Sequence, residues 1–255
     1  MIRLLAFAFA VLPCAPAFAQ DVLVIGEVHD NPRHHEVQAE LIAEFKPAAL
    51  VFEMVTAEQA ARVTPDLRAN KSDLGDALDW SGSGWPDFSM YYPIFAAAPQ
   101  ARVYGAQIPQ GVARAAFDSG IVEGFNGDAE RFGLTKPLPE AQQEEREAMQ
   151  MAAHCDALPQ YLLPTMVDIQ RLRDAELARV AVRAMNETGG PVAVITGNGH
   201  ARRDWGMPVY LQRAAPDLSV HVVGQAEEGG VLHGVFDEVI SAQPVNRPDP
   251  CAAFQ

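Results

Sequence analysis

Short apolar runs alternate with amphipathic stretches along most of the chain. Val22–Ile25 and Ala49–Phe52 are fully apolar runs of four residues, the pattern of strands that are buried on both faces. Between them, apolar side chains recur every four residues over 37–45, which is typical of one face of a helix. Asn31 and Pro32 precede this stripe as an N-cap and a first helical residue would. Strand, helix and strand in this order predict the crossover unit of a parallel sheet.

The same alternation continues towards the C-terminus and predicts an α/β fold with a mainly parallel central sheet. Residues 76–95 are rich in aromatic residues, glycine and proline, and have no clean period. No linker divides the chain, so we expect a single domain over 20–255 with a helical and irregular insertion at about 67–159. Further strands are predicted at 102–106, 192–196, 218–223 and 235–240, and helices at 57–63, 111–117, 140–153, 165–186 and from Pro208.

Residues 1–19 have the pattern of a cleaved secretory signal peptide. Arg3 gives a positive start, Leu4–Leu12 is apolar, and Ala17–Ala19 is a small-x-small cleavage site. This segment is therefore excluded from the fold, and the mature protein is predicted to be exported and periplasmic. Cys14 leaves lipoprotein anchoring open as an alternative, although the residues before it depart from the usual lipidation pattern.

Composition and charge disfavour some partners and leave the pairing of two cysteines open. The chain has 255 residues, 49% of them hydrophobic and 20% charged, which is an ordinary globular composition. Its formal net charge of −14, without a basic patch, argues against nucleic acid and anionic membranes as partners. Export would place Cys155 and Cys251 in an oxidising compartment, where they could form a disulfide or remain two free thiols.

Two predicted strand ends carry the same short motif. VLVIGEVH and AVITGNGH are each an apolar run followed by Gly-x-x-His. The glycines are Gly26 and Gly197, and the histidines are His29 and His200. Ligands of open α/β sheets bind beyond the carboxyl ends of the strands, and glycine lets the chain turn sharply there. The two motifs are therefore predicted to face one site.

Two glutamates also stand at predicted strand ends. Glu27 lies inside the first motif, and Glu53 directly follows the strand at 49–52. We expect the two glutamates and the two histidines to surround one hollow, either as ligands of a divalent first-row metal or as an acid–base set. The alternative is that these side chains only cap turns. The sequence has no nucleophile elbow, His-Glu-x-x-His helix, phosphate loop or dinucleotide fingerprint, which disfavours the enzyme classes that use them.

Longer stretches around these motifs resemble a known family. GEVHDNPRHHEVQ, WSGSGWPDFSMYYPI, MVDIQRLRDAELA and ITGNGHARRDWGMP are together similar to the ChaN-like haem-binding uptake proteins of the Tiki superfamily. The resemblance covers most of the mature chain. It implies a three-layer α/β/α fold with two pseudo-related halves, and haem as the cofactor. It also implies a homodimer that stacks two haems, a role in iron uptake, and an outer-membrane uptake receptor as a partner.

The resemblance also implies residues that would hold the haem. A tyrosinate is a known axial ligand of ferric haem, and Tyr92 is the first choice because of its place in the resembling stretch. Tyr91 and Tyr161 are the alternatives. Trp85 would contribute to a flat apolar slot, and Arg202 would meet the propionates in an otherwise acidic protein.

A metal-dependent hydrolase is the alternative function, because related Tiki proteins are metal-dependent proteases. His29 and His200 would then bind the metal, and Glu27 or Glu53 would serve as catalytic general base. A haem carrier has no evident need for glutamates at two strand ends. The sequence leaves open whether the protein is an enzyme, and it favours a haem-binding protein. A purely structural exported protein is a third class.

Three further features have two interpretations each. Arg203 and the pair His34–His35 would help to hold propionates or would be solvated on a helix. Asp174 would orient a histidine or form a surface ion pair. His154 would ligate a metal or would simply end a helix, where the helix dipole favours it.

Overall fold

A computed structural model of the protein describes residues 20–249 and 251–252 and contains one parallel sheet. The predicted signal peptide and the lipidation alternative at Cys14 lie outside the described residues. Every strand pair is parallel, and the strand order is β3-β2-β4-β1-β5-β6. The predicted α/β fold is therefore confirmed. The strands are β1 Val22–Ile25, β2 Ala49–Phe52, β3 Arg102–Gly105, β4 Val192–Ile195, β5 Val220–Glu227 and β6 Glu238–Ala242.

Helices fill the connections between the strands. Those between β2 and β3 are α2 to α5, and those between β3 and β4 are α6 to α9. The predicted insertion at about 67–159 thus contains β3, which pairs with β2 at the edge of the sheet. The helices are α1 Pro32–Phe45, α2 Ala57–Ala61, α3 Pro65–Arg68, α4 Lys71–Ala77, α5 Phe88–Ala97, α6 Gln110–Ser119, α7 Ile121–Gly124, α8 Glu140–Ala153, α9 Leu163–Thr188, α10 Asn198–Ala201 and α11 Met207–Ala214.

Alternate side chains of the strands enter two separate cores. On β1, Leu23 and Ile25 pack with α1, α4 and α5, whereas Val22 and Val24 pack with α9 and α11. All four side chains are fully buried. Burying one such side chain contributes about 1.5–3 kcal/mol to the free energy of unfolding. Helices therefore cover both faces of the sheet, which confirms the three-layer α/β/α architecture.

The first helix begins and ends where the sequence predicts. The Asn31 side chain accepts a hydrogen bond from the Arg33 amide at 3.1 Å, and Pro32 occupies the first helical position. At the other end, Lys46 has a φ of 52°, and its amide donates to the carbonyl of Ile42. This left-handed residue satisfies one of the last free carbonyls of the helix.

The aromatic segment contains a helix, although its sequence shows no clean helical period. Its main helix, α5, contains Pro93 and is capped by Asp87, whose side chain accepts from the Ser89 amide at 2.7 Å. A proline inside a helix removes one backbone hydrogen bond. Burial offsets this cost, because Tyr91 and Phe95 of α5 are fully buried in the core shared with α1.

Two links hold the C-terminal segment against the rest of the fold. Cys155, directly after α8, is disulfide-bonded to Cys251, with 5.4 Å between their Cα atoms. Arg247 donates to Asp30 at 2.6 and 2.7 Å and to Glu227 at 2.7 and 2.8 Å. Of the two alternatives for the cysteines, the structure contains the disulfide. We call the ion pairs of Arg247 with Asp30 and Glu227 the Arg247 clamp, and they join the C-terminal segment to the ends of β1 and β5.

Candidate functional site

The two Gly-x-x-His motifs lie side by side because β1 and β4 are neighbours in the sheet. A Cβ atom added at Gly26 would lie 2.4 Å from Oδ1 of Asn198. One added at Gly197 would lie 2.9 Å from Nε2 of His29. A side chain at either position would therefore displace Asn198 or His29, and glycine in each motif leaves these two residues in place.

Glu27 is buried at the centre of a hydrogen-bond network. Its Oε1 lies 2.7 Å from Nδ1 of His29 and accepts from the Tyr91 hydroxyl at 2.9 Å. Its Oε2 accepts from Nε2 of Gln38 at 2.7 Å and lies 3.3 Å from Nδ1 of His35. Burial alone would raise the pKa of Glu27, but hydrogen bonds and positive charge from His29 and His35 outweigh it and lower the pKa to about 2.

Glu53, at the end of β2, contacts the residues of the second motif. Its Oε2 accepts from Oγ1 of Thr196 at 2.6 Å and from the Gly197 amide at 2.8 Å. Its Oε1 lies 3.6 Å from Nε2 of His200, and Nδ1 of His200 lies 2.7 Å from Oδ1 of Asp174. Burial would lower the pKa of His200, but the charges of Glu53 and Asp174 outweigh it and raise the pKa to about 9. Asp174 of α9 therefore orients a histidine, which is one of its two predicted roles.

These side chains form an acid–base cluster, which we define as Glu27, His29, Glu53, Asp174 and His200. The sequence predicted that four of them would be close together, and they do surround the ends of β1, β2 and β4. Within residues 20–249 and 251–252, no group of three or more His, Cys, Asp or Glu side chains is arranged to hold a metal ion. Both oxygens of Glu27 and Oε2 of Glu53 already accept hydrogen bonds from the protein. The arrangement therefore suits the holding and transfer of protons, and gives the predicted divalent metal no support.

Two buried histidines of α1 correct the sequence interpretation. His34 and His35 are fully buried, so they neither face solvent nor lie within reach of surface propionates. Nδ1 of His34 accepts from the Val28 amide at 2.9 Å, and Nε2 of His35 donates to the carbonyl of His29 at 2.8 Å. Both therefore fix the turn that carries the first motif. For His34, its place one turn before Val37 on the apolar stripe of α1 was the signal available in the sequence.

The side chains predicted to hold haem are spread over this end of the sheet. Tyr91 is fully buried against Glu27, whereas the hydroxyl of Tyr92 donates to the carbonyl of Arg68 at 3.0 Å. The ring of Trp85 lies 4.9 Å from that of His29.

Arg202, the predicted partner of the haem propionates, already pairs with a carboxylate of the protein. Arg202 is buried and donates to both carboxylate oxygens of Asp204, at 2.6 and 2.5 Å. Its guanidinium also lies 3.8 Å from the ring centre of Trp205. Tyr161, the third tyrosine considered, is 78% exposed just before α9. The role of each of these residues in haem binding stays a prediction.

Two adjoining depressions open at this end of the sheet. The first, of about 260 Å³, is lined by Glu53, Trp85 and Arg173 among others. The second, of about 520 Å³, lies between α6, α8 and α9 and also reaches Arg173. We call the second the α6–α9 groove. Its lining includes Arg114, Phe117, His154, Met166, Ile169 and Arg173.

Fold and site together define a doubly wound parallel α/β protein with a partly buried acid–base cluster beside an open groove. The sequence matches, over residues 15–211, the family described as haem-binding uptake, Tiki superfamily, ChaN. The chain therefore belongs to this family, as its motifs predicted. A search of curated proteins found no match.

Solved structures share the fold. ChaN of Campylobacter jejuni, a structure with cofacial haem, aligns with a TM-score of 0.64 and 18% identity over 83% of each chain. The type III effector HopBA1 aligns over 88% of each chain at 15% identity with a TM-score of 0.45. The first of these likenesses supports the fold, and the haem is a property of the Campylobacter protein.

Proposed function

We propose that the protein binds haem and acts in haem uptake. The observation that carries this proposal is membership of the haem-binding uptake family over residues 15–211. The fold shared with ChaN of Campylobacter jejuni supports it. A metal-dependent hydrolase is the weaker alternative, because the family that the chain belongs to is one of haem uptake.

The α6–α9 groove has the chemistry that a haem requires. A porphyrin is a flat apolar ring with two anionic propionates, so it needs apolar walls and nearby cations. Phe117, Met166 and Ile169 supply apolar surface, and Arg114 and Arg173 supply cations at the same groove. Its volume of about 520 Å³ is in the range of small-molecule sites.

The cell compartment and the partners form a second part of the proposal. The signal-like pattern of residues 1–19 and the disulfide of Cys155 with Cys251 support export to an oxidising periplasm. In the part of the chain that the structure describes, no helix is long and apolar enough to cross a membrane. Val112, Phe117 and Val122 are 39–42% exposed on α6 and α7, which supports a homodimer. An outer-membrane uptake receptor is the further partner proposed.

Titration of the purified mature protein with ferric haem tests the proposal. We expect a saturable change in the haem absorption spectrum, and size-exclusion chromatography should show a shift towards dimer. Serum albumin provides a positive control for haem, and heat-unfolded protein provides a control for non-specific adsorption. An absorption change that does not saturate, or that the unfolded protein reproduces, would contradict haem binding.

Tyr92 remains the sequence-based candidate for the iron ligand, with Tyr91 behind it, although neither lines the α6–α9 groove. The structure gives both hydroxyls a hydrogen-bond acceptor, so ligation by either would require that bond to break. The titration should therefore include Tyr92→Phe and Tyr91→Phe. A changed spectrum in one of them would identify a tyrosinate ligand, and unchanged spectra in both would direct attention to another side chain.

A further inference from the structure

The apolar wall of the α6–α9 groove is left uncovered by the protein. Phe117 of α6 is 41% exposed, and Val112 on the same helix is 39% exposed. The opposite wall is formed by Met166 and Ile169 of α9. Ala116 is the one α6 residue that is buried. An amphipathic helix normally buries its apolar face, so the exposed part of α6 indicates a surface that another apolar group covers.

Two arginines at the groove have no carboxylate partner. Arg114 and Arg173 line it, and neither forms an ion pair within the described residues, although the chain carries a net charge of −14. Arg173 donates to Oε1 of Gln170 at 3.2 Å. Asp118 is the one carboxylate in the lining. Unpaired cations in an acidic protein are suited to an anionic ligand, and two of them suit a ligand with two carboxylates.

His154 supplies a ring nitrogen with a free lone pair at the same groove. Its Nδ1 lies 2.8 Å from the carbonyl oxygen of Gln150, and because a carbonyl only accepts, Nδ1 must donate. In a neutral imidazole the other nitrogen, Nε2, then carries the lone pair. No hydrogen bond to this Nε2 occurs in the described part of the chain. The next residue, Cys155, is tied to Cys251, which restrains the end of α8.

We infer that His154 is the axial ligand of the haem iron, and that Arg114 and Arg173 bind the propionates in the α6–α9 groove. This inference rests on the proposed haem binding and names the residues that carry it. A backbone carbonyl at Nδ1 fixes the tautomer that a metal-bound histidine needs. Tyr91 and Tyr92 do not line this groove, and their hydroxyls donate hydrogen bonds to Glu27 and to the carbonyl of Arg68.

Substitution of His154 tests the iron ligand. In His154→Gly we expect the wild-type ferric haem spectrum to be lost, and added imidazole, which occupies the vacated space, to restore it. His233→Ala removes an exposed histidine outside the groove and serves as the matched control, with the wild-type spectrum expected. Restoration by imidazole distinguishes loss of a ligand from loss of structure.

Three results have different consequences. A wild-type spectrum in His154→Gly, with a changed spectrum in Tyr92→Phe, would overturn this inference and leave haem binding intact. Loss of the spectrum in His154→Gly without restoration by imidazole would also count against the ligand role. No saturable binding by the wild-type protein would overturn the proposed function itself.

Substitution of the arginines tests the propionate contacts. Arg114→Ala and Arg173→Ala should each weaken haem binding by about two- to fivefold, the effect expected of a solvent-exposed ion pair. The loss should be absent for haem dimethyl ester, which has no charged propionates. Arg33→Ala is the control, because Arg33 is an exposed arginine of α1 that pairs with Glu36 and Glu40. Equal losses for haem and its dimethyl ester would overturn the propionate assignment.

Discussion

Two adjacent tyrosines show how much one position along a helix changes the role of a side chain. Tyr91 points into the core and donates to a buried carboxylate, whereas Tyr92 is half-buried and donates to a backbone carbonyl. Burial and the negative charge of Glu27 raise the pKa of Tyr91, so its phenol stays protonated at neutral pH. A buried phenol that stays protonated is suited to donating to Glu27 and poorly suited to ligating iron, which takes the tyrosinate form.

Tyr91→Phe should destabilise the protein more than Tyr92→Phe does. The first removes a donor from a fully buried carboxylate, which we expect to cost about 1–3 kcal/mol in the free energy of unfolding. The second removes a neutral hydrogen bond at a half-buried site, for which about 1 kcal/mol is expected. Urea unfolding of both variants and the wild type measures the difference. Equal effects would show that the hydrogen bond from Tyr91 to Glu27 contributes no more to stability than the hydrogen bond of Tyr92.

The pKa of His200 predicts a loss of stability in alkali. Because the folded pKa is raised from 6.5 to about 9, the charged imidazolium stabilises the fold fully below pH 6.5. This contribution is lost as pH rises through 9, and its size is up to about 3 kcal/mol. The free energy of unfolding should therefore fall between pH 6.5 and 9.5 in the wild type. In His200→Gln the profile should be flatter over that range, and parallel profiles would contradict the assignment.

At the scale of the elements, hydrophobic periodicity predicted the strands and helices that local sequence determines. The buried strands, α1 and the long helix α9 have clear periods, and the structure has them within a few residues of the predicted bounds. The two motifs also indicated which strand ends carry the cluster. The helix α5 could not be predicted, because Pro93 opposes it locally and only packing against α1 compensates.

The remaining parts of the site depend on contacts between distant segments. Gln38 reaches Glu27 only because α1 folds back over β1, and Tyr91 reaches it from a helix sixty-four residues further along the chain. The alternatives for Asp174 were equal in the sequence, since a helix of 26 residues has many faces and the packing of α9 decides which one meets His200. Such choices are made by tertiary packing and leave no local pattern.

Substitutions of two glycines should have opposite effects on stability, because one glycine is tightly packed and the other is not. A Cβ at Gly105 would lie 2.1 Å from the carbonyl oxygen of Thr56, so backbone must move in Gly105→Ala. We expect this change to cost more than about 2 kcal/mol in the free energy of unfolding. Gly111→Ala in α6 meets no atom within 4 Å and should stabilise by about 0.5–1 kcal/mol. Thermal unfolding of both variants compares them, and similar melting temperatures would contradict the packing argument.

At the scale of the whole molecule, the disulfide closes a long loop. Cys155 and Cys251 are 96 residues apart in sequence, so the bond restricts the unfolded chain strongly. In the chain-entropy account this contributes about 4–5 kcal/mol to stability. The double variant Cys155→Ser, Cys251→Ser should lose stability of this order in urea unfolding. A reduced wild-type protein should match the variant, and an unchanged midpoint in both would show that the Arg247 clamp alone holds the segment.

The strand order also dictates when the fold can be completed. β1 is the first strand of the described chain, yet its two neighbours begin at Val192 and Val220. Parallel partners so distant in sequence make folding slow, because closing large loops lowers the chain entropy before the strand contacts can form and compensate. The apolar run Val22–Ile25 therefore has no partner on either side until synthesis has passed residue 192. Until both neighbours have been made, this run is an unpaired apolar strand, and such strands are prone to aggregate before folding is complete.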